Sequence, residues 1–216
     1  MKVITDFIQG SDEWRKAHLG IPTASEFKKI ITPAQGKFSE SHREFASRLV
    51  GERVSGGFDD VKELFDPHII RGIEHEPRAK AAYQYETGTI VRSVGFVLRD
   101  DGKAGCSPDG MAYASESDPF ENPLGGLEAK CPTLTKFLLW QEEGVLPLEH
   151  KCQVHGCLAV TGLPWWDFVA FHAQFPNKPL IIRVTPDEFT KNVAIALEKF
   201  LGICDELEAK IKERMS

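Results

Sequence analysis

The chain has 216 residues, of which 42% are apolar and 27% are charged, and its formal net charge is −6. This length favours one domain over residues 1–216. The charge argues against a protein coated with nucleic acid but leaves room for a local basic channel. No apolar run reaches about 18 residues, and the N-terminus lacks the layout of a signal peptide. We therefore expect a cytoplasmic protein whose five cysteines are reduced and mostly buried.

Capping signals and helical periodicity mark the predicted helices. Ser11, followed by Asp12 and Glu13, predicts a helix over 11–19 with Ser11 as its N-cap. The TASE motif at 23–26 has capping-box spacing and predicts a second helix through residue 31. Further helices are predicted over 41–55 with Phe45, Leu49 and Val50 inward, 68–87 with Gly88 as its C-terminal glycine, 133–143, 148–161, and from Pro186 onward.

Runs rich in β-branched and aromatic residues mark the predicted strands. They cover 89–99, 103–114, 125–131, 166–173 and 179–185. Because these strands lie in the middle of the chain and helices flank them, the predicted fold class is α/β, a central mixed sheet covered by helices.

Two charged side chains share one face of the strand predicted at 125–131. Because side chains alternate across a strand, Glu128 and Lys130 project together while Ala129 points the other way. Both lie in the otherwise apolar run GLEAKCP, where an unpaired charge is costly. The alternative is an ordinary hairpin with a surface salt bridge.

Asp109 lies upstream of this pair, in a turn fixed by Pro108 and Gly110. Carboxylates are natural ligands of Mg²⁺, so Asp109 and Glu128 could share a metal. A lysine beside them can position or activate a water molecule, or stabilise charge that develops on a phosphate. These three residues therefore indicate metal-assisted phosphate chemistry.

A third carboxylate comes from the helix predicted at 68–87. At helical spacing Ile73, Glu76, Lys80 and Tyr83 share one face, which places Glu76 beside apolar and aromatic positions. A solvated helix glutamate is the alternative for Glu76, and Glu74, on another face, fits that alternative better.

An ordered set of motifs resembles a known family. It comprises Trp14, TASE at 23–26, RGIEHEPRA at 71–79, CSPDG at 106–110, LEAKCP at 127–132 and CQVHG at 152–156. Together these motifs resemble the phage lambda-type alkaline exonucleases, the YqaJ-like viral recombinase family of the PD-(D/E)xK nuclease superfamily. The resemblance spans roughly residues 10–162 and implies the restriction-endonuclease-like α/β fold.

The resemblance also implies roles for the acidic residues. By similarity, Asp109 and Glu128 are metal-binding carboxylates and Lys130 is the catalytic lysine. Glu76 completes the acidic site, and the carbonyl of Ala129 touches a metal. The implied cofactor is Mg²⁺, as two ions, with Mn²⁺ as a substitute.

A pocket for a 5′-phosphate is implied by the same resemblance. Ser25, Ser107 and Gln153 match the positions that hold this phosphate, and hydroxyls and amides do donate to anions. Trp14 would stack against the end of the duplex. For the serines the alternatives are a helix cap and a turn residue, and for Trp14 simple packing.

The chain departs from the lambda-type pattern at His18, where that pattern has an arginine four residues after the tryptophan. Neutral histidine binds phosphate less firmly than a guanidinium does. Arg15 or Lys16 could substitute for the missing arginine, or the pocket could depend on protonation of His18.

The segment HKCQVHGC at 150–157 looks like a metal-binding set, but structural zinc sites rarely come from one continuous helix. We instead expect its cysteines to be buried and Gln153 to face the active site.

The sequence thus leads to a Mg²⁺-dependent 5′-to-3′ exonuclease acting on linear double-stranded DNA. It would release mononucleotides and leave a 3′ overhang for recombination by strand annealing. The resemblance implies a ring-shaped homotrimer, a single-strand annealing protein as partner, and a phage or prophage protein acting in the bacterial cytoplasm. The alternatives are an endonuclease of the same superfamily, of restriction or repair type, and a catalytically silent DNA-binding protein.

Overall fold

A computed structural model describes residues 1–6, 9–57 and 67–215, without the side chains of residues 67–71 and 73. The helices in this part of the chain are α1 (Asp12–His18), α2 (His42–Ser55), α3 (Pro67–Thr87), α4 (Leu134–Glu143), α5 (Leu148–Thr161) and α6 (Glu188–Met215), with a 3₁₀ segment at Ala24–Lys29. The strands are β1 (Lys2–Ile4), β2 (Ile90–Arg92), β3 (Phe96–Leu98), β4 (Gly105–Cys106), β5 (Gly110–Tyr113), β6 (Gly125–Lys130), β7 (Trp166–Ala170) and β8 (Leu180–Val184).

The strands form two sheets. The larger has the order β2-β5-β6-β7-β8, and the smaller has the order β1-β3-β4. All pairs are antiparallel except β6 and β7, which are parallel and connected through α4 and α5. A parallel pair needs such a crossover, because a hairpin can join only antiparallel strands.

Helices cover both faces of the larger sheet. Alternate residues of β7, such as Phe168, belong to the main core together with α2, α5 and α6. The residues between them face α3, since Val169 and Leu127 cluster with Tyr83. Because alternation sends Glu128 to the face opposite Leu127, that carboxylate lies on the side of α5.

A buried polar network attaches α3 to the sheet. The Tyr83 hydroxyl donates to Asp167 Oδ2 at 2.6 Å, and Arg183 donates to both Asp167 oxygens at 2.9 and 2.8 Å. Asp167 is only 1% exposed, so these hydrogen bonds compensate for the desolvation of its charge. Burial and the neighbouring aspartate raise the pKa of Tyr83 to about 12.

Several predicted helices are confirmed. Ser11 caps α1, since its hydroxyl accepts a hydrogen bond from the Trp14 amide at 3.2 Å. Gly88 follows α3 with a φ of +68°, the left-handed conformation that glycine adopts at helix ends. In α2 the predicted inward residues are all buried: Phe45, Leu49 and Val50. Ile73, predicted to share a face with Glu76, has a side chain outside the described set.

The helix predicted to begin at the TASE motif and to run through residue 31 is present but shorter, over Ala24–Lys29, and the predicted capping box does not form. The segment is a 3₁₀ helix, and Thr23 makes no capping hydrogen bond to the backbone. The Glu26 carboxylate, which the capping box would turn toward the backbone, instead pairs with Lys29 at 2.7 Å and with Arg48. These salt bridges compete with the backbone for the same carboxylate.

The runs 89–99 and 103–114, predicted as one strand each, are each divided between the two sheets. The first run gives β2, which pairs with β5, and β3, which pairs with β1 and β4. The second gives β4 and β5, separated by residues 107–109. The chain therefore passes from the smaller to the larger sheet at the Ser107-Pro108-Asp109 turn, which brings residues of both sheets to one place.

No helix in the described ranges combines the length and apolar character needed to span a bilayer.

Candidate active site

Backbone pairing brings Asp109 beside strand β6. Gly110 pairs with Leu127, and the Asp109 amide donates to the Leu127 carbonyl at 3.1 Å. The side-chain Oδ2 of Asp109 then accepts the Ala129 amide at 2.7 Å. Gly110 is required here, since a Cβ would lie 2.3 Å from a methyl carbon of Val91. The CSPDG turn thus fixes Asp109 against the strand that carries Glu128.

Glu128 and Lys130 lie on one face of β6, and their side chains contact each other directly. Lys130 Nζ donates to Glu128 Oε1, which also accepts from Gln153 Nε2 at 2.6 Å. Glu128 is 1% exposed, and its second oxygen, Oε2, has no hydrogen-bond partner among the described residues. A buried carboxylate oxygen without a partner costs free energy, and a cation would satisfy it.

The charges in this site act on one another. Burial, reinforced by the negative charges of Glu128 and Glu76, raises the pKa of Asp109 to about 7. Burial would lower the pKa of Lys130, but the charges of Glu128 and Asp109 outweigh burial and raise it above the ordinary lysine value. Lys130 is therefore held as a cation, while the two carboxylates repel each other and favour a bound positive charge.

Glu76 takes a different position from the other two carboxylates. It belongs to α3, on the opposite face of the sheet, and pairs with Lys80 at 2.7 Å. It does not line the cavity described below, although its charge contributes to the raised pKa of Asp109. Glu74 on the same helix is exposed, as its position on another helical face predicts.

The residues present fit a divalent cation. In the described ranges, no three histidine, cysteine, aspartate or glutamate side chains are gathered into a metal-binding group. Mg²⁺, however, is commonly held by one or two protein carboxylates together with waters and substrate phosphate oxygens. Asp109 and the partnerless Oε2 of Glu128 supply such a pair.

A second group of predicted residues lies where the smaller sheet meets α1. Trp14 Nε1 donates to Ser107 Oγ at 3.1 Å, and His18 Nε2 lies 2.9 Å from the same oxygen. Ser25 is hydrogen-bonded to Thr23 through their hydroxyls at 3.2 Å. Arg15 is not part of this group: it is 38% exposed and lies 3.8 Å from Asp12.

Both groups open into one cavity of about 220 Å³. It is lined by Trp14, His18, Thr23, Ala24, Ser25, Cys106, Ser107, Asp109, Glu128, Lys130, Gln153 and Cys157. Eight of these residues are sequence-predicted site residues, and Glu76, Ala129 and Arg15 are the three that do not line it. Four lining residues were not predicted: Thr23, Ala24, Cys106 and Cys157. The first three lie within two residues of the predicted Ser25 or Ser107.

The HKCQVHGC segment places only some of its residues at the cavity. Gln153 and Cys157 line it. Cys152 is buried and donates to the Ile31 carbonyl at 3.2 Å, while His155 is hydrogen-bonded to Thr190 at 2.8 Å. The predicted burial of the cysteines is confirmed for Cys152 and Cys157.

The fold is that of the PD-(D/E)xK nucleases, a central mixed sheet flanked by helices, as predicted. The chain belongs to the YqaJ-like viral recombinase family, whose domain matches residues 13–164. The predicted resemblance is therefore confirmed. A comparison with curated protein sequences gave no significant match.

Solved structures extend the similarity over nearly the whole chain. The crystal structure of an alkaline exonuclease (LHK-Exo) from Laribacter hongkongensis is 26% identical, with a TM-score of 0.78 over 95% of this chain and 98% of that one. The structure of LHK-Exo in complex with dAMP is 27% identical, with a TM-score of 0.71 over 94% and 99%. A phage related exonuclease from Haemophilus somnus 129PT, 14% identical with a TM-score of 0.54 over 91% and 96%, shares the fold.

Proposed function

We propose that this protein is a Mg²⁺-dependent exonuclease that degrades the 5′-ended strand of linear double-stranded DNA. It releases mononucleotides and leaves a 3′ single-stranded overhang. The observation that carries this proposal is the shared cavity, whose lining combines two carboxylates and a lysine with hydroxyl, amide and aromatic groups. Membership of the family and the likeness to LHK-Exo, which has been solved with the mononucleotide dAMP, support it.

In the proposed site, Asp109 and Glu128 hold Mg²⁺, with the Ala129 carbonyl as a further ligand and Glu76 supporting a second ion or its waters. Mn²⁺ would substitute for Mg²⁺. The metal, when bound, supplies a Lewis acid for a phosphodiester oxygen and an activated water. Two observations support this assignment: the buried Glu128 Oε2 has no hydrogen-bond partner among the described residues, and burial together with carboxylate repulsion raises the pKa of Asp109.

Lys130 has the proposed role of catalytic lysine. Its ammonium group contacts Glu128 and is 31% exposed, so it can reach a substrate while it remains paired. Because its pKa is raised, it acts as a fixed positive charge rather than as a general base. It would orient the attacking water and stabilise the negative charge that develops on the phosphate.

Polarity would come from the hydroxyl, amide and aromatic groups that line the same cavity. We assign the terminal 5′-phosphate to Ser25, Ser107 and Gln153, whose hydroxyl and amide groups can donate to its oxygens. Trp14 is the assigned contact for the terminal base pair, while Arg15, exposed on α1, can approach the phosphate backbone. Holding the end phosphate fixes which phosphodiester lies over the carboxylates, and so sets the direction of degradation.

The proposal extends to the assembly and its setting. Residues 1–216 would act as one nuclease domain, three copies would form a ring around the DNA, and a single-strand annealing protein would take up the overhang. The protein would come from a phage or prophage and act in the bacterial cytoplasm, where thiols such as the buried Cys106 and Cys157 stay reduced.

The test is digestion of linear duplexes that carry 5′-phosphate or 5′-hydroxyl ends, each labelled at one end, alongside a closed circular plasmid. We expect Mg²⁺-dependent release of mononucleotides from 5′-ended strands, faster from phosphorylated ends, and an intact plasmid. Cutting of the plasmid would instead identify a superfamily endonuclease. Absence of any release would identify a silent DNA-binding protein.

Matched glutamate variants test the acidic site in the same assay. Glu76→Gln should slow release, because it removes the carboxylate that we assign to a second ion or its waters. Glu74→Gln, an exposed neighbour on the same helix, should leave it unchanged.

A further inference from the structure

The hydrogen-bond directions around Ser107 are determined by the chemistry of its partners. His18 Nδ1 lies 2.6 Å from the Trp14 carbonyl oxygen, which can only accept, so Nδ1 carries the proton. In neutral imidazole the other nitrogen, Nε2, must then accept, and its partner at 2.9 Å is the Ser107 hydroxyl. Ser107 therefore donates its one proton to His18.

The remaining contact of Ser107 fits this direction. The indole N–H of Trp14 can only donate, and it lies 3.1 Å from Ser107 Oγ. Ser107 is thus an acceptor toward Trp14 and a donor toward His18. In this arrangement its hydroxyl has no proton left for an anion in the cavity, although Ser107 is one of the residues assigned to the phosphate.

The surroundings of His18 favour the neutral ring. Burial lowers its pKa, while the Trp14 carbonyl and the charge of Glu26 oppose that shift. Glu26 is itself paired with Lys29 and Arg48, and it makes no ion pair with His18. The ring packs between Trp14 and Phe96, with centroid distances of 3.8 and 4.1 Å. The other titratable groups that line the cavity are Cys106, Asp109, Glu128, Lys130 and Cys157.

We propose that His18 takes up one proton when a phosphate monoester enters the cavity, and that this proton releases the Ser107 hydroxyl to donate to the phosphate. The proton comes from solvent and binds Nε2. The Nε2–H then donates to Ser107 Oγ, which also accepts from Trp14 and turns its own O–H toward the phosphate. All three hydrogen-bonding capacities of Ser107 are then used, and the imidazolium faces a dianion.

The identity of the phosphate as a DNA 5′ end rests on the proposed function. The consequence for that function is that recognition of the end is linked to pH. Between the His18 pKa values of the free and the phosphate-bound protein, the preference for 5′-phosphate over 5′-hydroxyl ends should fall about tenfold per pH unit, because one proton is bound with the phosphate. A 5′-hydroxyl end, which carries no dianion, should show no such dependence.

The direct test is ¹⁵N NMR of the His18 ring in the whole protein, without divalent metal, as inorganic phosphate is added at pH 8. We expect the Nδ1–H tautomer in the free protein and a ring protonated on both nitrogens in the bound one. An Nε2–H tautomer in the free protein, or a ring that stays neutral with phosphate bound, would overturn the proposal. A cavity that takes up no phosphate overturns it too.

Cleavage kinetics provide the second test. In the wild type the kcat/KM ratio of phosphate-ended to hydroxyl-ended duplexes should decline with pH. In His18→Arg, which carries a permanent charge, the preference for phosphate-ended duplexes should remain but should no longer decline with pH. In His42→Gln, which replaces a histidine outside the cavity, the kcat/KM ratio should decline with pH as in the wild type. A pH-independent wild-type ratio would contradict the proposal.

The NMR test needs no DNA cleavage, so its outcome separates this inference from the proposed function. Phosphate-linked protonation of His18 in a protein that releases no nucleotides would refute the proposed nuclease function but support the proton uptake by His18. Cleavage with a strong phosphate preference but a neutral His18 would refute only the proton uptake by His18.

Discussion

Replacing Lys130 by alanine would leave the Glu128 carboxylate buried with one hydrogen-bond donor. Glu128 is 1% exposed, and its charge is balanced by Lys130 and hydrogen-bonded by Gln153 at 2.6 Å. Breaking a buried ion pair by removing one partner costs about 3–5 kcal/mol. Because Lys130 is 31% exposed and Gln153 remains, we expect the low end of that range, about 3 kcal/mol.

The measurement is urea unfolding of wild type and Lys130→Ala at pH 7.5, without divalent metal. In thermal unfolding of a chain of this size, the same loss of about 3 kcal/mol would lower the Tm by roughly 6–12 °C. Lys136→Ala is the matched control, since its pair with Glu149 at 2.8 Å is half-exposed on both sides and should be worth less than about 1 kcal/mol.

Mg²⁺ should restore part of the lost stability in Lys130→Ala, because a cation beside Glu128 replaces the missing charge. Equal unfolding midpoints for Lys130→Ala and wild type would refute the reasoning that Glu128 is a buried charge held by this lysine. Loss of cleavage is expected in the same variant, and should be measured under conditions in which the variant remains folded.

Three further predictions concern residues that support or form the site. Tyr83→Phe removes a hydrogen bond to the buried Asp167 and should cost about 1.5–3 kcal/mol in urea unfolding; an unchanged midpoint would contradict that. Gly126→Ala puts a Cβ 2.2 Å from an indole ring and should destabilise by at least about 1–3 kcal/mol, whereas Gly51→Ala, in open space on α2, should gain up to about 1 kcal/mol. In EDTA, the raised pKa of Asp109 makes the folded state lose stability as pH rises from about 4 to 7, since an unfolded aspartate titrates near about 4. Asp109→Asn should remove this loss, and parallel pH profiles of the two proteins would contradict the assignment.

The helices and the local pattern of the site follow from short-range signals. Ser11 and Gly88 mark helix ends by their own hydrogen-bonding and conformational preferences. Glu128 and Lys130 share one face of their strand because side chains alternate between the two faces with a period of two residues. Such features depend on neighbours in the chain, so the sequence reveals them directly.

The division of 89–99 between two sheets could not be predicted in this way. β3 leaves the larger sheet because its partners are β1, from the N-terminus, and β4. Nothing within the run itself encodes those long-range pairings. The 3₁₀ segment is a similar case, because Glu26 finds Arg48, which is 22 residues away, rather than the backbone.

The site shows the same limit. Motif resemblance suggested Glu76, Asp109 and Glu128 as one acidic set, yet Glu76 approaches from the other face of the sheet and pairs with Lys80. The hydrogen bond from Gln153 to Glu128 joins α5 to β6 and depends on the crossover between β6 and β7. Tertiary packing therefore decides which of the predicted residues meet.

The most direct test of a metal-dependent centre at Asp109 and Glu128 is mononucleotide release from a 5′-phosphorylated linear duplex as Mg²⁺ is titrated, with wild type and Glu128→Gln compared. Wild type should release nothing in EDTA and reach a plateau with Mg²⁺, while Glu128→Gln should be slower by at least about a hundredfold at every Mg²⁺ concentration. Release by Glu128→Gln at the wild-type rate, or by wild type in EDTA, would contradict the centre assigned to this cavity.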